Sequence, residues 1–337
     1  MKLIYDNYIG TCYIICRNED DNDFIIGSSS ATDSTIPITL FDSSSFTNND
    51  YPIYTEFADA DTKEKARDFC ETYGAIINLR LVPKNDSEYH SFQTLGAFND
   101  YNGIYDCISY NHFRYYQLQM KCLLELHRLL NSADLSSDNI LNPLLVNCLT
   151  LICNPNFSTM FQLEYSDTVD HSKYLEYFSE YPVIDYMYRL DYDEYWEDVV
   201  FDNPQLSSFL TEVLSMYSVT PNFSHSFLIN NKEQIISLAK YVFSGVLSFE
   251  IRNIYPKISF KNSEIVSDWQ FPSLISAMFF YFYLDRSNSK VIARCANEKC
   301  NKFFVHSGAY SKRIYCCPEC AHRVANRKYK KKNQKTK

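Results

Sequence analysis

The stretch CANEKCNKFFVHSGAYSKRIYCCPECAHRVANRKYKKK, residues 295–332, decides what kind of protein this chain is. Its five cysteines form two close groups that fifteen residues separate: Cys295, Cys300, Cys316, Cys317 and Cys320. Two such groups can fold back on each other and present four thiolates to one zinc ion. A unit of about 40 residues buries too little apolar surface to fold alone, whereas zinc binding supplies about 10–16 kcal/mol. The stretch therefore predicts a zinc-stabilised unit, and unligated thiols in a basic tail are the alternative.

A tetrahedral site needs only four of the five thiols. Pro318 is favoured at the first position of a helix, which makes Cys317 the N-cap residue. Because caps are usually Ser, Thr, Asp or Asn, we interpret Cys317 as a substituted cap and Cys316 as a ligand. The spacing rules also admit Cys317 in place of Cys316. A knuckle, a hairpin and a helix that begins at the second pair form a treble-clef arrangement, with the predicted ligands Cys295, Cys300, Cys316 and Cys320.

The residues beside these cysteines follow a recognisable pattern. Phe303 lies three residues after the second cysteine, Tyr315 precedes the third, and Arg323 follows the fourth within a basic helix. This pattern resembles the CGNR-type zinc finger at the C-terminus of bacterial proteins that have a helical ABATE-like region. Ala321 and His322 stand where that family has Gly and Asn. The resemblance covers about forty residues and implies a transcription regulator that binds DNA.

Charge is distributed unevenly along the chain. From residue 291 onward there are 13 Lys and Arg residues against 2 acidic residues, a net charge of +11. Residues 1–290 hold 19 basic and 39 acidic residues, a net charge of −20. The overall charge of −9 therefore hides a strongly basic end. Such an asymmetry is typical of a chain whose basic end binds a polyanion.

The predicted helix that starts at Pro318 carries a ridge of cations. Arg323, Arg327, Lys330 and Lys331 follow one another at helical steps of three or four residues and share one face. A helix of this kind can meet a phosphate backbone or enter a major groove. The alternative is a solvated helix with a frayed lysine tail.

Lys312 and Arg313 in the preceding hairpin are expected to extend the surface that contacts nucleic acid. Val324 and Tyr329 are expected to face the metal knuckle and Phe303. The predicted nucleic-acid contacts are Lys312, Arg313, Arg323, Arg327, Lys328, Lys330 and Lys331. One finger reads few bases, so we expect mainly contacts with the phosphate backbone.

The rest of the chain is predicted to be mainly α, with a small mixed α/β N-terminal portion. Over the first sixty residues, β-forming runs alternate with turns rich in Ser, Asn and Asp. A helix is predicted to begin at Asp61, which has capping-box spacing to Glu64, and to end at Gly74. A second helix is predicted over residues 112–130 from its apolar stripe.

Two further helices are predicted in the second half of the chain. One covers residues 232–255 and is stopped by Pro256. The other covers residues 274–284, with Pro272 as its first helical residue. At eleven residues, this most apolar run is too short to cross a bilayer, so we expect a buried core helix and no membrane partner.

Several function classes are disfavoured by what the sequence lacks. No apolar run follows a basic start, so we expect no secretory signal and a cytoplasmic location, where clustered cysteines favour metal over disulfides. No GxSxG, P-loop, GxGxxG or HExxH pattern occurs, so we expect no enzyme.

The sequence thus predicts three parts: an acidic, mostly helical body over residues 1–290, a zinc finger with a basic helix over residues 291–332, and a basic tail over residues 333–337. The body would sense a ligand, oligomerise or bind a partner. The predicted function is DNA-binding transcription regulation. The alternatives are a protein-interaction scaffold in which zinc is purely structural, and an RNA-binding protein.

Overall fold

The structure is a computed structural model. It describes residues 2–8, 12–17, 23–28, 35–42, 52–74, 76, 80–81, 105–132, 134–135, 137–152, 204–217, 223–252, 254–261, 264–271, 273–287, 290–307 and 313–334. The described chain is mostly helical with short strands, as the sequence predicts.

The elements follow one another in a mixed N-terminal part and a helical remainder. The helices are α1 Ile53–Asp59, α2 Lys63–Tyr73, α3 Tyr110–Leu130, α4 Asp138–Ile152, α5 Pro204–Tyr217, α6 His225–Asn230, α7 Lys232–Ile251, α8 Leu274–Ser287 and α9 Pro318–Gln334. The strands are β1 Lys2–Tyr8, β2 Cys12–Arg17, β3 Asp23–Ser28, β4 Thr35–Asp42, β5 Arg80–Leu81, β6 Tyr105–Ser109, β7 Tyr255–Lys261, β8 Glu264–Gln270, β9 Lys290–Arg294 and β10 Phe303–Ser307.

The described strands pair in antiparallel fashion. One sheet has the order β2-β3-β6-β5, in which β6 brings a distant segment beside the N-terminal hairpin. The pairs β1–β4, β7–β8 and β9–β10 form separate two-stranded units. The four N-terminal strands confirm the predicted β-forming runs, whereas β5 and β6 were not predicted.

The predicted helices are present with shifted ends. In α2 the cap is Thr62 rather than Asp61, since the Thr62 hydroxyl accepts from the Lys65 amide at 3.3 Å. Asp61 instead forms an ion pair with Lys65 at 2.6 Å. At the other end Gly74 has a φ of 81° and its amide donates to the Cys70 carbonyl at 2.7 Å, which confirms the predicted stop.

Two helix boundaries differ from the prediction. Helix α7 ends at Ile251 instead of residue 255, and β7 begins at Tyr255. The residue before a proline is biased towards extended backbone. Tyr255 therefore joins the strand, and the helix ends before it instead of at it. Helix α8 covers Leu274–Ser287 and so ends three residues later than predicted, while Pro272 lies outside the described residues. The Ser273 hydroxyl accepts from the Ser276 amide at 3.2 Å. Its cap is therefore Ser273.

Helices α1, α2, α3, α4, α7 and α8 share one apolar core that is rich in aromatic rings. The centres of the Phe57 and Phe113 rings are 5.1 Å apart, and those of the Tyr54 and Phe282 rings are 5.6 Å apart. Most residues of α8 are buried, as expected for a core helix. Among the described residues, α7 has the length and mean hydropathy that a membrane span requires, but its apolar side packs into this core.

The hairpin β9–β10 belongs to the same core. Ile292, Phe303 and Val305 are 3%, 0% and 2% exposed and lie in the cluster that the helices form. The cysteine-rich end therefore rests on the helical body through two strands. The division of the chain at residue 290 stays a prediction.

Candidate metal centre

The first cysteine pair lies in the turn that joins β9 to β10. The Cys295 amide donates to the Lys302 carbonyl at 2.9 Å, which closes the turn across its base. The Asn297 carbonyl accepts from the amides of Cys300 and Asn301 at 2.7 and 2.9 Å. Asn301 has a φ of 48°, a left-handed conformation that asparagine tolerates better than most residues. These bonds fold the knuckle so that both thiols point to one side.

The second pair reaches the knuckle through a short segment before α9. The Ala296 amide donates to the Ile314 carbonyl at 2.8 Å, which holds this segment against the knuckle. The Arg313 guanidinium donates to the carbonyls of Tyr315, at 3.1 Å, and of Cys316, and it lies 5.2 Å from the centre of the Phe304 ring. Arg313 therefore fixes the backbone from which the third thiol projects.

Four thiols converge at this point. The Sγ atoms of Cys295, Cys300, Cys316 and Cys320 all lie within 4.8 Å of one another. The Cys316 sulfur is 3.6 Å from the sulfurs of both Cys300 and Cys320. Sulfurs bound at 2.3 Å to a tetrahedral zinc ion lie about 3.8 Å apart, so the observed spacing fits such an ion. These four cysteines could hold a metal ion.

The donor set favours zinc among the common metals. Four thiolates are soft ligands, and a closed tetrahedral set of sulfurs is typical of structural zinc or of an iron–sulfur cluster. Cys295, Cys316 and Cys320 are 3%, 2% and 4% exposed, and Phe304 packs beside them with no exposed surface. Such shielding suits a structural site, in which no coordination position is left open for a substrate.

Two thiols of the set have shifted pKa values. The Asn297 side chain hydrogen-bonds the Cys320 sulfur and lowers the pKa of that thiol to about 7. Burial raises the pKa of the Cys300 thiol. Metals bind the thiolate form, so the Asn297 hydrogen bond favours the form of Cys320 that a metal needs.

The fifth cysteine lies beside the four-thiol set. Cys317 is the residue before Pro318, the first residue of α9, and its sulfur is 3.9 Å from the Cys316 sulfur. The arrangement in which Cys316 joins the set and Cys317 sits at the helix start is the one that the sequence favours.

Some of the predicted nucleic-acid contacts are bonded within the finger, and others are exposed on α9. Arg313 is turned into the finger, and the Arg327 guanidinium donates to the Asn297 side-chain oxygen. Among the side chains of α9 that the structure describes, the exposed cations are Arg323, Lys328, Lys330 and Lys331. Lys312 lies outside the described residues.

Two packing expectations for α9 are wrong. Phe303 faces the core of the helical body, and its neighbour Phe304 packs against the cysteines. Tyr329 is 68% exposed instead of facing the knuckle. Both phenylalanines are apolar, and strand alternation alone could not tell which of them faces the metal.

Asn297 was not among the predicted site residues. It is 1% exposed and its side chain contacts both Cys320 and Arg327. Its position within the first Cys pair is the only sequence signal that could have pointed to it.

Two ion pairs join β9 to the helical body. Lys290 Nζ lies 2.7 Å from Oδ1 of the buried Asp285 carboxylate. The Arg294 Nε atom donates to Glu125 Oε2 at 2.9 Å, and its guanidinium lies 4.2 Å from the centre of the Phe303 ring. These contacts fix the metal centre relative to α3 and α8.

A histidine and two cysteines of the helical body are buried as packing residues. The centre of the His127 ring lies 6.1 Å from that of Phe243 and 5.8 Å from that of Phe282, and burial lowers the pKa of His127 to about 4. Burial raises the pKa of the Cys122 and Cys148 thiols. At neutral pH these groups are uncharged.

No protein-family model, no curated protein and no solved structure matches this chain. The resemblance to the CGNR-type finger and to the ABATE-like region thus remains an expectation from the sequence.

Proposed function

We propose that this protein binds double-stranded DNA through a zinc-held basic helix and regulates transcription. The observation that carries the proposal is that α9, with its exposed cations, begins at the four-thiol cluster. Cys320 lies in the first turn of α9, so a bound ion would anchor the helix at its N-terminal end. A helix anchored at one end can present a fixed row of charges to a phosphate backbone.

The charge pattern supports a polyanion as the partner. Residues 291–337 have a net charge of +11, whereas residues 1–290 have a net charge of −20. On α9 the exposed cations Arg323, Lys330 and Lys331 lie on one side at helical spacing. The acidic body would keep the polymer away from itself and direct it to this end.

The expected treble clef and the CGNR-like pattern agree with this proposal. The hairpin β9–β10 with its knuckle is followed by Cys316 just before α9 and by Cys320 in the first turn of α9, which is the order that a treble clef requires. We propose that zinc is structural here, that the protein acts in the cytoplasm as a binding protein and not as an enzyme, and that the body supplies ligand sensing, oligomerisation or a partner surface.

The test compares nucleic-acid binding by the wild type and two triple variants. The first variant carries Arg323→Ala, Lys330→Ala and Lys331→Ala. The charge-matched control carries Lys240→Ala, Arg252→Ala and Lys257→Ala, which remove three exposed cations from the body. Zinc content is measured on all three proteins, so that a loss of binding can be separated from a loss of metal.

Fluorescence anisotropy with duplex DNA, single strands and structured RNA at several salt concentrations gives the readout. Each phosphate contact contributes about −0.9 to the slope of log affinity against log salt, so loss of three contacts should flatten the slope on duplex DNA by about 2.7. The control should keep the wild-type slope. No binding to any polymer near physiological salt would favour the scaffold, and preference for structured RNA would favour the RNA-binding alternative.

A further inference from the structure

Asn297 connects two parts of the finger that the sequence keeps thirty residues apart. Its backbone carbonyl closes the knuckle by accepting from Cys300 and Asn301, and its side-chain oxygen accepts from the Lys299 amide at 3.4 Å. The same oxygen accepts from Arg327, while the side chain also hydrogen-bonds the Cys320 sulfur. A buried amide whose donor and acceptor are both used has one permitted orientation.

Arg327 occupies a different position from the other cations of α9. It is half-buried, whereas Arg323, one turn earlier, is exposed. Arg327 lies seven residues after Cys320, which corresponds to about 10 Å along the helix axis. The hydrogen bond to Asn297 therefore ties α9 to the knuckle at a point well beyond the metal ligand.

We propose that Asn297 and Arg327 are positioning residues of the metal centre: Asn297 orients the Cys320 sulfur and, through Arg327, sets the direction in which α9 leaves the metal. Two anchors about 10 Å apart define the axis of a helix, while a single anchor at its first turn leaves the helix free to pivot. Groups that hydrogen-bond a metal ligand commonly change metal affinity by about 10–100-fold when they are removed.

This inference rests on the metal centre and not on nucleic-acid binding. It gives Arg327 a role that differs from that of Arg323 within the proposed function. Arg323→Ala removes a phosphate contact and flattens the salt slope by about 0.9. Arg327→Ala weakens DNA binding by releasing the helix and leaves the salt slope near that of the wild type.

The test replaces zinc with Co²⁺ in the full-length chain, since the sulfur-to-cobalt charge-transfer band reports on the ligating thiolates. Asn297→Ala removes both side-chain bonds. Asn297→Asp keeps an acceptor for Arg327 but removes the amide donor to sulfur. Arg327→Ala removes only the link to α9. The matched controls are Arg323→Ala and Asn326→Ala, which alter exposed residues of the same types on the same helix.

Two readouts separate the two bonds. Loss of an N–H donor destabilises the sulfur lone pairs, so Asn297→Ala and Asn297→Asp should move the charge-transfer band to longer wavelength and weaken Co²⁺ binding in chelator competition by about 10–100-fold. Amide exchange in α9 beyond its first turn should become faster in Asn297→Ala and Arg327→Ala, but not in Asn297→Asp. Both controls should match the wild type in both readouts.

The inference is overturned if Asn297→Asp keeps the wild-type band and affinity, or if Arg327→Ala keeps the wild-type exchange in α9. If Asn297→Ala takes up no metal, Asn297→Asp and Arg327→Ala test the inference by the same two readouts. A wild type that shows these cobalt effects and binds no nucleic acid would overturn the proposed function alone.

Discussion

Lys290 at the start of β9 lies 2.7 Å from the carboxylate of Asp285, a buried residue in the last turn of α8. The Tyr54 hydroxyl donates to the other oxygen of this carboxylate at 2.7 Å. A buried charge is stable only when it is paired and hydrogen-bonded. The strand that leads into the metal centre therefore supplies the cation that a core carboxylate needs.

Lys290→Met is expected to lower the free energy of unfolding by about 3 kcal/mol. Removal of one partner of a buried pair costs about 3–5 kcal/mol, and the lower end applies because a third of the Lys290 side chain is in contact with solvent. Urea denaturation at pH 7 measures the change. Lys299→Met, at an exposed lysine of the knuckle, is the matched control and should change stability little. Equal stability of both variants would contradict the role of the pair.

The cysteine set predicts a clear pattern of metal content. Cys316→Ser should lose stoichiometric zinc, because it removes one of the four clustered sulfurs, while Cys317→Ser should keep one zinc per chain. Elemental analysis after dialysis is the measurement. The opposite result would mean that Cys317 is the ligand. A wild type without zinc would show that the four cysteines do not form a metal centre.

Metal removal should also affect the body. Chelation of zinc is expected to loosen the knuckle and α9 and to lower the thermal stability of the helical core, because Ile292, Phe303 and Val305 contribute to that core from the hairpin that holds the knuckle. Amide exchange before and after chelation would locate the effect. Protection in α3 and α8 that is unchanged by chelation would show that the hairpin holds its place without metal.

The cysteine cluster was predictable because ligand spacing is a local property of the sequence. The capping of α2 was predicted to within one residue for a similar reason, since Gly74 and the polar residues before the helix act locally. The role of Asn297 was not predictable, because it depends on a contact with Arg327 that only the folded chain creates. The choice between Phe303 and Phe304 likewise depends on what covers each face of β10.

The left-handed conformation of Asn301 predicts an order of metal affinities. At a φ of 48°, glycine fits without steric cost, asparagine fits well, and a β-branched residue costs roughly 1–2 kcal/mol. Because folding of the knuckle is coupled to metal binding, Asn301→Val should weaken zinc binding by roughly tenfold, whereas Asn301→Gly should stay near the wild type. Chelator competition measures both. Equal affinities of the valine and glycine variants would contradict this backbone requirement.

His127 predicts how stability depends on pH. Burial lowers its pKa from 6.5 to about 4, so the unfolded chain binds a proton at a higher pH than the folded chain does. The stability that follows from keeping this ring neutral is fully present above pH 6.5 and is lost as the pH falls from 6.5 to about 4. The total loss from this one group is about 3 kcal/mol.

His127→Gln should therefore flatten the decline of the unfolding free energy between pH 7 and pH 5, measured by urea denaturation at each pH. Protonation of the cysteine ligands contributes to the decline in both proteins, so the difference between their slopes isolates the histidine. Ile235→Val provides the control, because a buried apolar substitution lowers stability by about 0.5–1.5 kcal/mol without altering proton uptake. If the unfolding free energies of His127→Gln and the wild type decline in parallel, protonation of the histidine costs no stability, and its ring beside Phe243 and Phe282 is then not shielded from water.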